Sequence, residues 1–269
     1  MTPNPTQWLL EDAAVTVPSA STVKGVLRLR SPRIAASAQP GQFVNVAVPG
    51  HVLRRPMAVA WAQDDELELV ITARGEATQR LLSAQSGSSW SLIGPLGRSF
   101  PLPEGPGVIV TGGSGAGPGL FLAWRLAQAG RPVVLLHGAR VGDEAFVADR
   151  AAGLGVRAVM HTEDGSLGLR GYPTASLRSE ALALAEQYAS PPTVYAVGPN
   201  ALMAAAARVA AQENWDAWVS LEEAMACGVG ACLSCACQVR DATGQPIQAH
   251  VCVDGPVFPA ARVSWPLGA

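Results

Sequence analysis

Val108-Ile109-Val110-Thr111-Gly112-Gly113-Ser114-Gly115-Ala116-Gly117-Pro118 decides the architecture. The β-branched apolar residues Val108, Ile109 and Val110 make a short strand, the glycines make a sharp turn, and residues 119–129 continue as a helix that Gly130 ends. A strand that runs through a glycine turn into a helix begins an α/β layer. Its backbone amides and the helix N-terminus together attract phosphate. The glycine order is not Gly-x-Gly-x-x-Gly with an acid about 20 residues on, because Pro132 stands there and the nearest acid is Asp143. Taken alone, the turn is also compatible with a tight connection that binds nothing.

On the C-terminal side the same alternation continues. Val133-Val134-Leu135-Leu136-His137, Val156-Arg157-Ala158-Val159-Met160 and Thr193-Val194-Tyr195-Ala196-Val197 read as further apolar strands. The last leads through Gly198-Pro199 into an Ala-rich helix at residues 201–211, with Asn200 as its N-cap candidate. Strands alternating with helices predict a parallel sheet covered on both faces.

N-terminal to the glycine turn, up to about Pro103, the pattern is different. Val44-Asn45-Val46-Ala47-Val48 and Glu66-Leu67-Glu68-Leu69-Val70-Ile71 alternate at period two, and Pro40-Gly41 and Pro49-Gly50 mark turns. Short alternating strands of this kind predict a small antiparallel barrel or sandwich. The three expected parts are residues 1–103 (barrel), 104–215 (α/β domain) and 216–269 (a small C-terminal module). In the last, Ser220-Leu221-Glu222-Glu223 matches a capping box and predicts a short helix ending at Gly228.

All five cysteines fall between Cys227 and Cys252. The spacing Cys227-x4-Cys232-x2-Cys235, with sixteen residues before Cys252, is that of plant-type 2Fe-2S ferredoxins. Small residues, Gly228 to Ala231, let backbone N–H groups approach the sulfurs. A structural zinc site is the alternative, but it usually pairs Cys-x2-Cys knuckles with each other. Cys237 lies two residues past Cys235, so periodicity leaves it eligible as the fourth ligand beside Cys252. A module of about 50 residues holds too little core alone, and an inorganic centre would help to fold it.

Composition narrows the function classes. A formal net charge of -2 without a clustered basic face argues against nucleic acid as the main partner. Only 15% of residues are charged and 49% are hydrophobic, so a large core rather than disorder is expected. No apolar run reaches the ~18 residues that cross a bilayer, and residues 1–11 lack the basic start and apolar stretch of a signal peptide, so a soluble cytoplasmic protein is expected. His51, His137, His161 and His250 each stand alone beside apolar or turn residues and read as structural or surface groups.

The order of these motifs carries a resemblance. Arg55-Pro56-Met57-Ala58, then Gly94-Pro95-Leu96-Gly97, then the turn at residues 112–118, resembles the ferredoxin-NADP reductase superfamily. The tail, Ser220-Leu221-Glu222-Glu223-Ala224-Met225-Ala226-Cys227 with Val251-Cys252-Val253-Asp254-Gly255-Pro256, is similar to the electron-transfer subunits of two-subunit, NAD-dependent dihydroorotate dehydrogenases. The resemblance implies FAD on the barrel, held by Arg55 at the pyrophosphate with Pro56, Met57 and Ala58. Val70, Ile71 and Thr72 would line the flavin, and Ala77 and Thr78 would close over it. It implies a nicotinamide nucleotide at Gly112, Gly113, Gly115 and Gly117, and Cys227, Cys232, Cys235 and Cys252 as cluster ligands, with Cys237 a bystander. It further implies electrons passing from the FMN of a catalytic partner subunit through the cluster and FAD to NAD+ in pyrimidine biosynthesis, in a heterotetramer of two plus two.

Two positions depart from the family pattern. Ala58 replaces a usual serine, and Val197 stands before Gly198-Pro199 where many relatives have cysteine. In Thr162-Glu163-Asp164-Gly165 two carboxylates oppose a 2'-phosphate, so NAD is expected over NADP. Other flavin and 2Fe-2S oxidoreductases, of the ferredoxin-NADP or sulfide dehydrogenase type, share all three parts and form the alternative.

Overall fold

The computed structural model describes residues 9–20, 24–142 and 146–265; Asp143 and residues 1–8 lie outside that set. The first six strands are β1 (Leu9–Val17), β2 (Lys24–Arg30), β3 (Phe43–Val46), β4 (Arg55–Gln63), β5 (Glu66–Thr72) and β6 (Ser89–Leu96). They close an antiparallel barrel in the order β1-β2-β5-β4-β3-β6. The period-two text of β5 explains its seating. Leu67, Leu69 and Ile71 are buried, while Glu68, on the alternate face, is paired with Arg28 Nε at 2.8 Å. Helices α1 (Pro32–Ser37) and α2 (Glu76–Leu82) are short additions to this barrel.

The second architecture is a seven-stranded sheet. Its strands are β7 (Gly107–Gly112), β8 (Val133–Ala139), β9 (Arg157–Thr162), β10 (Leu169–Arg170), β11 (Thr193–Val197), β12 (Ala217–Ser220) and β15 (Val257–Pro259). The order is β10-β9-β8-β7-β11-β12-β15, parallel except for β15, which runs antiparallel to β12. Helix α3 (Ala116–Gln128) packs with α4 (Phe146–Gly153), and α5 (Leu177–Tyr188) with α6 (Asn200–Gln212). Tyr195, Phe121, Ile109 and Leu122 are among the largest side chains fully buried in this part. The chain order reverses direction between β7 and β11, and in open parallel sheets ligands bind outside the strand ends at such a point. Strands β13 (Ala236–Arg240) and β14 (Pro246–His250) form a separate two-stranded sheet.

The chain divides into two compact units. One combines Met1–Ser99 with Glu223–Cys237 and Gln248–Pro256; the other combines Phe100–Glu222 with Gln238–Ile247 and Val257–Ala269. The cysteine stretches are therefore part of the barrel unit.

Three local expectations are corrected. Helix α3 begins at Ala116, three residues early, because Pro118 falls in its first turn, where a missing N–H costs no intrahelical bond. Asn200 is the first residue of α6 and Pro199 precedes it as the N-cap, so Asn200 makes no side-chain cap. The capping box at Ser220 opens no helix. Ser220 is the last residue of β12, opposite both Val197 and Val257, so its backbone is committed to the ladder.

Candidate functional site on the barrel

The cysteine segment is an irregular loop whose backbone is organised around sulfur. The N–H groups of Val229, Ala231 and Cys232 all donate to Cys227 Sγ, at 3.5, 3.3 and 3.4 Å. Cys252 N donates to Cys235 Sγ at 3.4 Å, and Val251 N to the Cys235 carbonyl at 3.0 Å. Small residues permit this wrapping. Gly228 and Gly230 take φ of +72° and +82°, in the left-handed region that suits glycine.

The thiols fall into two pairs. Cys232 is exposed and its thiol is acidified by the Ser234 hydroxyl, 3.2 Å away, and then by hydrogen bonding with Cys227. Cys252 is buried, and burial followed by its hydrogen bond with Cys235 pushes its thiol well above the usual range; Cys227 also acts on it electrostatically. Cys237, half-buried in β13, has its thiol pushed up to about 11, first by burial and then by the Glu223 and Asp254 carboxylates. Among the described residues no three His, Cys, Asp or Glu side chains converge on a single ion. Two thiol pairs surrounded by backbone N–H donors fit a cluster that spreads its ligands over two irons.

Both limbs of this segment are fastened to barrel strands. On the first limb, Asn45 Nδ2 of β3 donates to the Cys227 carbonyl at 2.9 Å. On the second, Arg98 N, just past β6, donates to the Gly255 carbonyl at 2.6 Å and pairs with Pro256 as an isolated bridge. Gly97 makes that approach possible. Its φ is +76°, and a Cβ there would lie 2.5 Å from Pro256 Cδ and 2.9 Å from Gly255 O. Sequence reasoning missed these anchors. The available signals were a lone amide in the apolar run Val44-Asn45-Val46 and a glycine at the end of Gly94-Pro95-Leu96-Gly97.

The residues expected to hold flavin sit on the same barrel. Arg55, Pro56, Met57 and Ala58 open β4, opposite Val46, Asn45, Val44 and Phe43 of β3. The Arg54 guanidinium is engaged by the barrel itself, donating to the carbonyls of Asn45 and Ser91 at 3.2 and 2.9 Å. The Arg55 guanidinium is bonded to its own stretch, with Nη1 donating to the Leu53 carbonyl at 2.6 Å. β5 runs beside β4, with Val59 opposite Leu69. It carries Ile71 buried in the core and Val70 and Thr72 half-exposed on the alternate face. Thr78 Oγ1 accepts from Arg74 N and Gly75 N at 2.9 and 3.2 Å, fixing the start of α2, where Ala77 is buried. Ala58 is exposed and supplies no hydroxyl.

In the other unit the glycine turn lies at the reversal point between β7 and β11. Gly112 ends β7, and residues 113–115 form a single 3-10 turn before α3. Gly115 is pressed onto the Val197 carbonyl of β11, so a Cβ would collide with that backbone. Gly113 has φ of +56° and open space before it, whereas Gly117 is buried within α3. Beneath the turn, His137 is fully buried with a ring nitrogen 2.8 Å from Thr111 Oγ1. Glu163 and Asp164 follow β9 and are exposed, and hydrogen bonds from the Ser166 N–H and hydroxyl hold the Asp164 carboxyl below the ordinary range. Two arginines adjoin this turn, one through its backbone and one through its stem. Asp164 N donates to the Arg140 carbonyl at 3.4 Å, and a Cβ on Gly165 would meet the Arg170 stem at 3.3 Å.

Comparison with known proteins agrees with this arrangement. Residues 222–264 match the family model described as the iron-sulfur cluster binding domain of dihydroorotate dehydrogenase B. The electron transfer subunit of dihydroorotate dehydrogenase B (NAD(+)) from Caldanaerobacter subterraneus subsp. tengcongensis is 35% identical, covering 83% of this chain and 86% of that protein. Its counterpart from Desulforamulus reducens is 34% identical over 87% of this chain and 90% of that protein. Among solved structures, an NADH-dependent reduced ferredoxin-NADP oxidoreductase studied for flavin-based electron bifurcation superposes with a TM-score of 0.80. It is 26% identical, with 94% of this chain and 90% of that one covered. The FAD/NAD binding domain of nitric oxide dioxygenase from Vibrio cholerae shares the fold, with a TM-score of 0.60 at 20% identity over 76% of this chain and 94% of that one. With this extent of identity across most of both chains, and with a cysteine loop built around paired thiols on a flavin-type barrel, the chain belongs to the family of dihydroorotate dehydrogenase B electron-transfer subunits.

Proposed function

We propose that the chain relays electrons between a dihydroorotate-oxidising partner and NAD+, with FAD on the barrel, a 2Fe-2S cluster on the cysteine loop and the nucleotide at the glycine turn. The observation that carries this reading is the mounting of both cysteine limbs on the barrel, through Asn45 to Cys227 and Arg98 to Gly255. When bound, the flavin converts between the two electrons of a hydride and the single electrons a 2Fe-2S cluster passes.

The chain's own residues account for the holding. Arg55, at the open end of β4, offers a planar fork suited to the FAD pyrophosphate once it leaves the Leu53 carbonyl. Pro56, Met57 and Ala58 with Val70, Ile71 and Thr72 form the adjoining walls on β4 and β5, and Ala77 and Thr78 stand at the start of α2. The missing hydroxyl at Ala58 leaves flavin tuning to other groups. Cys227, Cys232, Cys235 and Cys252 are the cluster ligands, and Cys237 is a bystander. Gly112 and Gly113 present backbone at the turn, while Gly115 lets the start of α3 sit close against Val197 of β11 and Gly117 lies buried in the first turn of α3.

Glu163 and Asp164, both exposed after β9, disfavour a 2'-phosphate. The base that deprotonates dihydroorotate belongs to an FMN-containing partner, in a heterotetramer with two copies of each subunit. Among the described residues no helix is long and apolar enough to cross a membrane, and five free thiols suit a reducing cytoplasm. The test is co-purification from a strain expressing both subunits, followed by assay. Dihydroorotate-dependent NADH formation by the complex, and none by the chain alone, is expected. Activity of the isolated chain would contradict the relay reading. Coupling to ferredoxin and NADP instead would favour the bifurcating type suggested by the 0.80 TM-score.

A further inference from the structure

We propose that Asn45 is a positioning residue of the electron path, whose side-chain amide holds the Cys227 end of the cysteine loop on the barrel and thereby sets the reduction potential of the cluster. The inference rests on the cluster reading given above. Asn45 is fully buried in β3 between Val44 and Val46. Its acceptor is a carbonyl, so the amide must turn its NH2 toward Cys227, which leaves Oδ1 pointing elsewhere. That oxygen is buried and has no hydrogen-bond partner among the described residues. A strand shaped for packing alone would carry an apolar side chain here, because an orphaned buried acceptor is unfavourable. The amide is retained for what its nitrogen does.

The contact is also shaped from the loop side. A Cβ on Gly228 would lie 2.5 Å from Asn45 Nδ2, so the loop rests directly on the amide. The Cys227 carbonyl and the Gly228 nitrogen share one peptide, and the next N–H groups fan onto Cys227 Sγ. Fixing that peptide fixes the root of the fan. N–H dipoles aimed at a ligand sulfur favour the more negative, reduced cluster, so a loosened fan lowers the potential. On its other side Asn45 faces Pro56 of the proposed flavin strand, and its carbonyl accepts from Arg54. One residue therefore touches both the strand and the loop.

The test uses the purified complex of both subunits, with redox titration followed by electron paramagnetic resonance and by flavin absorbance. In Asn45→Ala we expect iron and FAD contents to be kept and the cluster's one-electron equilibrium to shift about tenfold toward the oxidised form, about 59 mV. Gly228→Ala should move the potential in the same direction, and the double variant should fall short of the sum, since both act on one contact. Unchanged potential and resonance signal in both single variants would overturn the proposal. So would loss of FAD together with the cluster in Asn45→Ala, since that outcome makes Asn45 a barrel-folding residue. A parent complex that shows no reduced-cluster signal would instead refute the cluster reading itself.

Discussion

Gly97→Ala tests whether the second cysteine limb is held where the structure places it. Gly97 and Gly87 have nearly the same φ, +76° and +83°, so alanine meets left-handed strain of about 1–2 kcal/mol at both. Their surroundings differ. A Cβ at Gly87 has none of the described residues within 4 Å, whereas at Gly97 it meets Pro256 Cδ at 2.5 Å, Gly255 O at 2.9 Å and Phe43 Cε1 at 3.1 Å. Proline and backbone cannot swing aside, so overpacking adds about 1–2 kcal/mol. Displacing Gly255 weakens its 2.6 Å bond from Arg98 N, for about 1 kcal/mol more. The expected excess of Gly97→Ala over Gly87→Ala is thus about 2–3 kcal/mol. At about 2–4 °C per kcal/mol, that is about 4–12 °C. The assay is thermal bleaching of the iron-sulfur absorbance, which reports the cysteine loop rather than the whole chain. Equal bleaching temperatures for the two variants would refute the anchoring of Cys252 through Gly255-Pro256.

Cys252→Ser should abolish the iron-sulfur absorbance and Cys237→Ser should preserve it, with iron and sulfide analysis as the check; the opposite pattern would exchange their roles. Stopped-flow reduction of the bound flavin should be at least about tenfold faster with NADH than with NADPH, equivalent to about 1.4 kcal/mol. Charge reversal at Glu163 and Asp164 should narrow that gap, and equal rates in the parent would contradict the discrimination. His161 is buried and its pKa is lowered by desolvation, so the unfolded chain binds the proton more readily. Its contribution to stability is then complete above about pH 6.5 and declines as pH falls from there toward the folded pKa. Urea unfolding at pH 7.5 and 5.5 should show a smaller acid loss in His161→Gln than in the parent, and identical losses would remove His161 as the cause.

The strands were legible because each leaves a local mark. Leu67, Leu69 and Ile71 alternate with polar or half-exposed neighbours, and the β7 to α3 passage is written as apolar run, glycines and apolar helix. The cysteine spacing is likewise local. What was not legible depends on chain closure. Ser220-Leu221-Glu222-Glu223 has the composition of a helix start, yet the ladders from β11 and β15 hold Ser220 extended, a tertiary constraint that no four-residue pattern contains. Asn45 and Cys227 are 182 residues apart, and nothing in either neighbourhood announces the other. Arg170 is a sequence neighbour of Gly165, and the pairing of β10 with the end of β9 brings its stem against that glycine. Motifs placed the chemistry on the chain; barrel closure and strand pairing determine which elements hold it.

The most direct test of the account is anaerobic titration of the purified two-subunit complex with NADH, read simultaneously by flavin absorbance and electron paramagnetic resonance, with iron, sulfide and FAD counted per chain. The account predicts one FAD, two irons and two sulfides on this chain. It also predicts that the flavin bleaches first and a reduced-cluster resonance then appears, and that the resonance is lost in Cys235→Ser. One bound zinc in place of iron, or flavin reduction with no reduced-cluster signal in the intact parent, would contradict it.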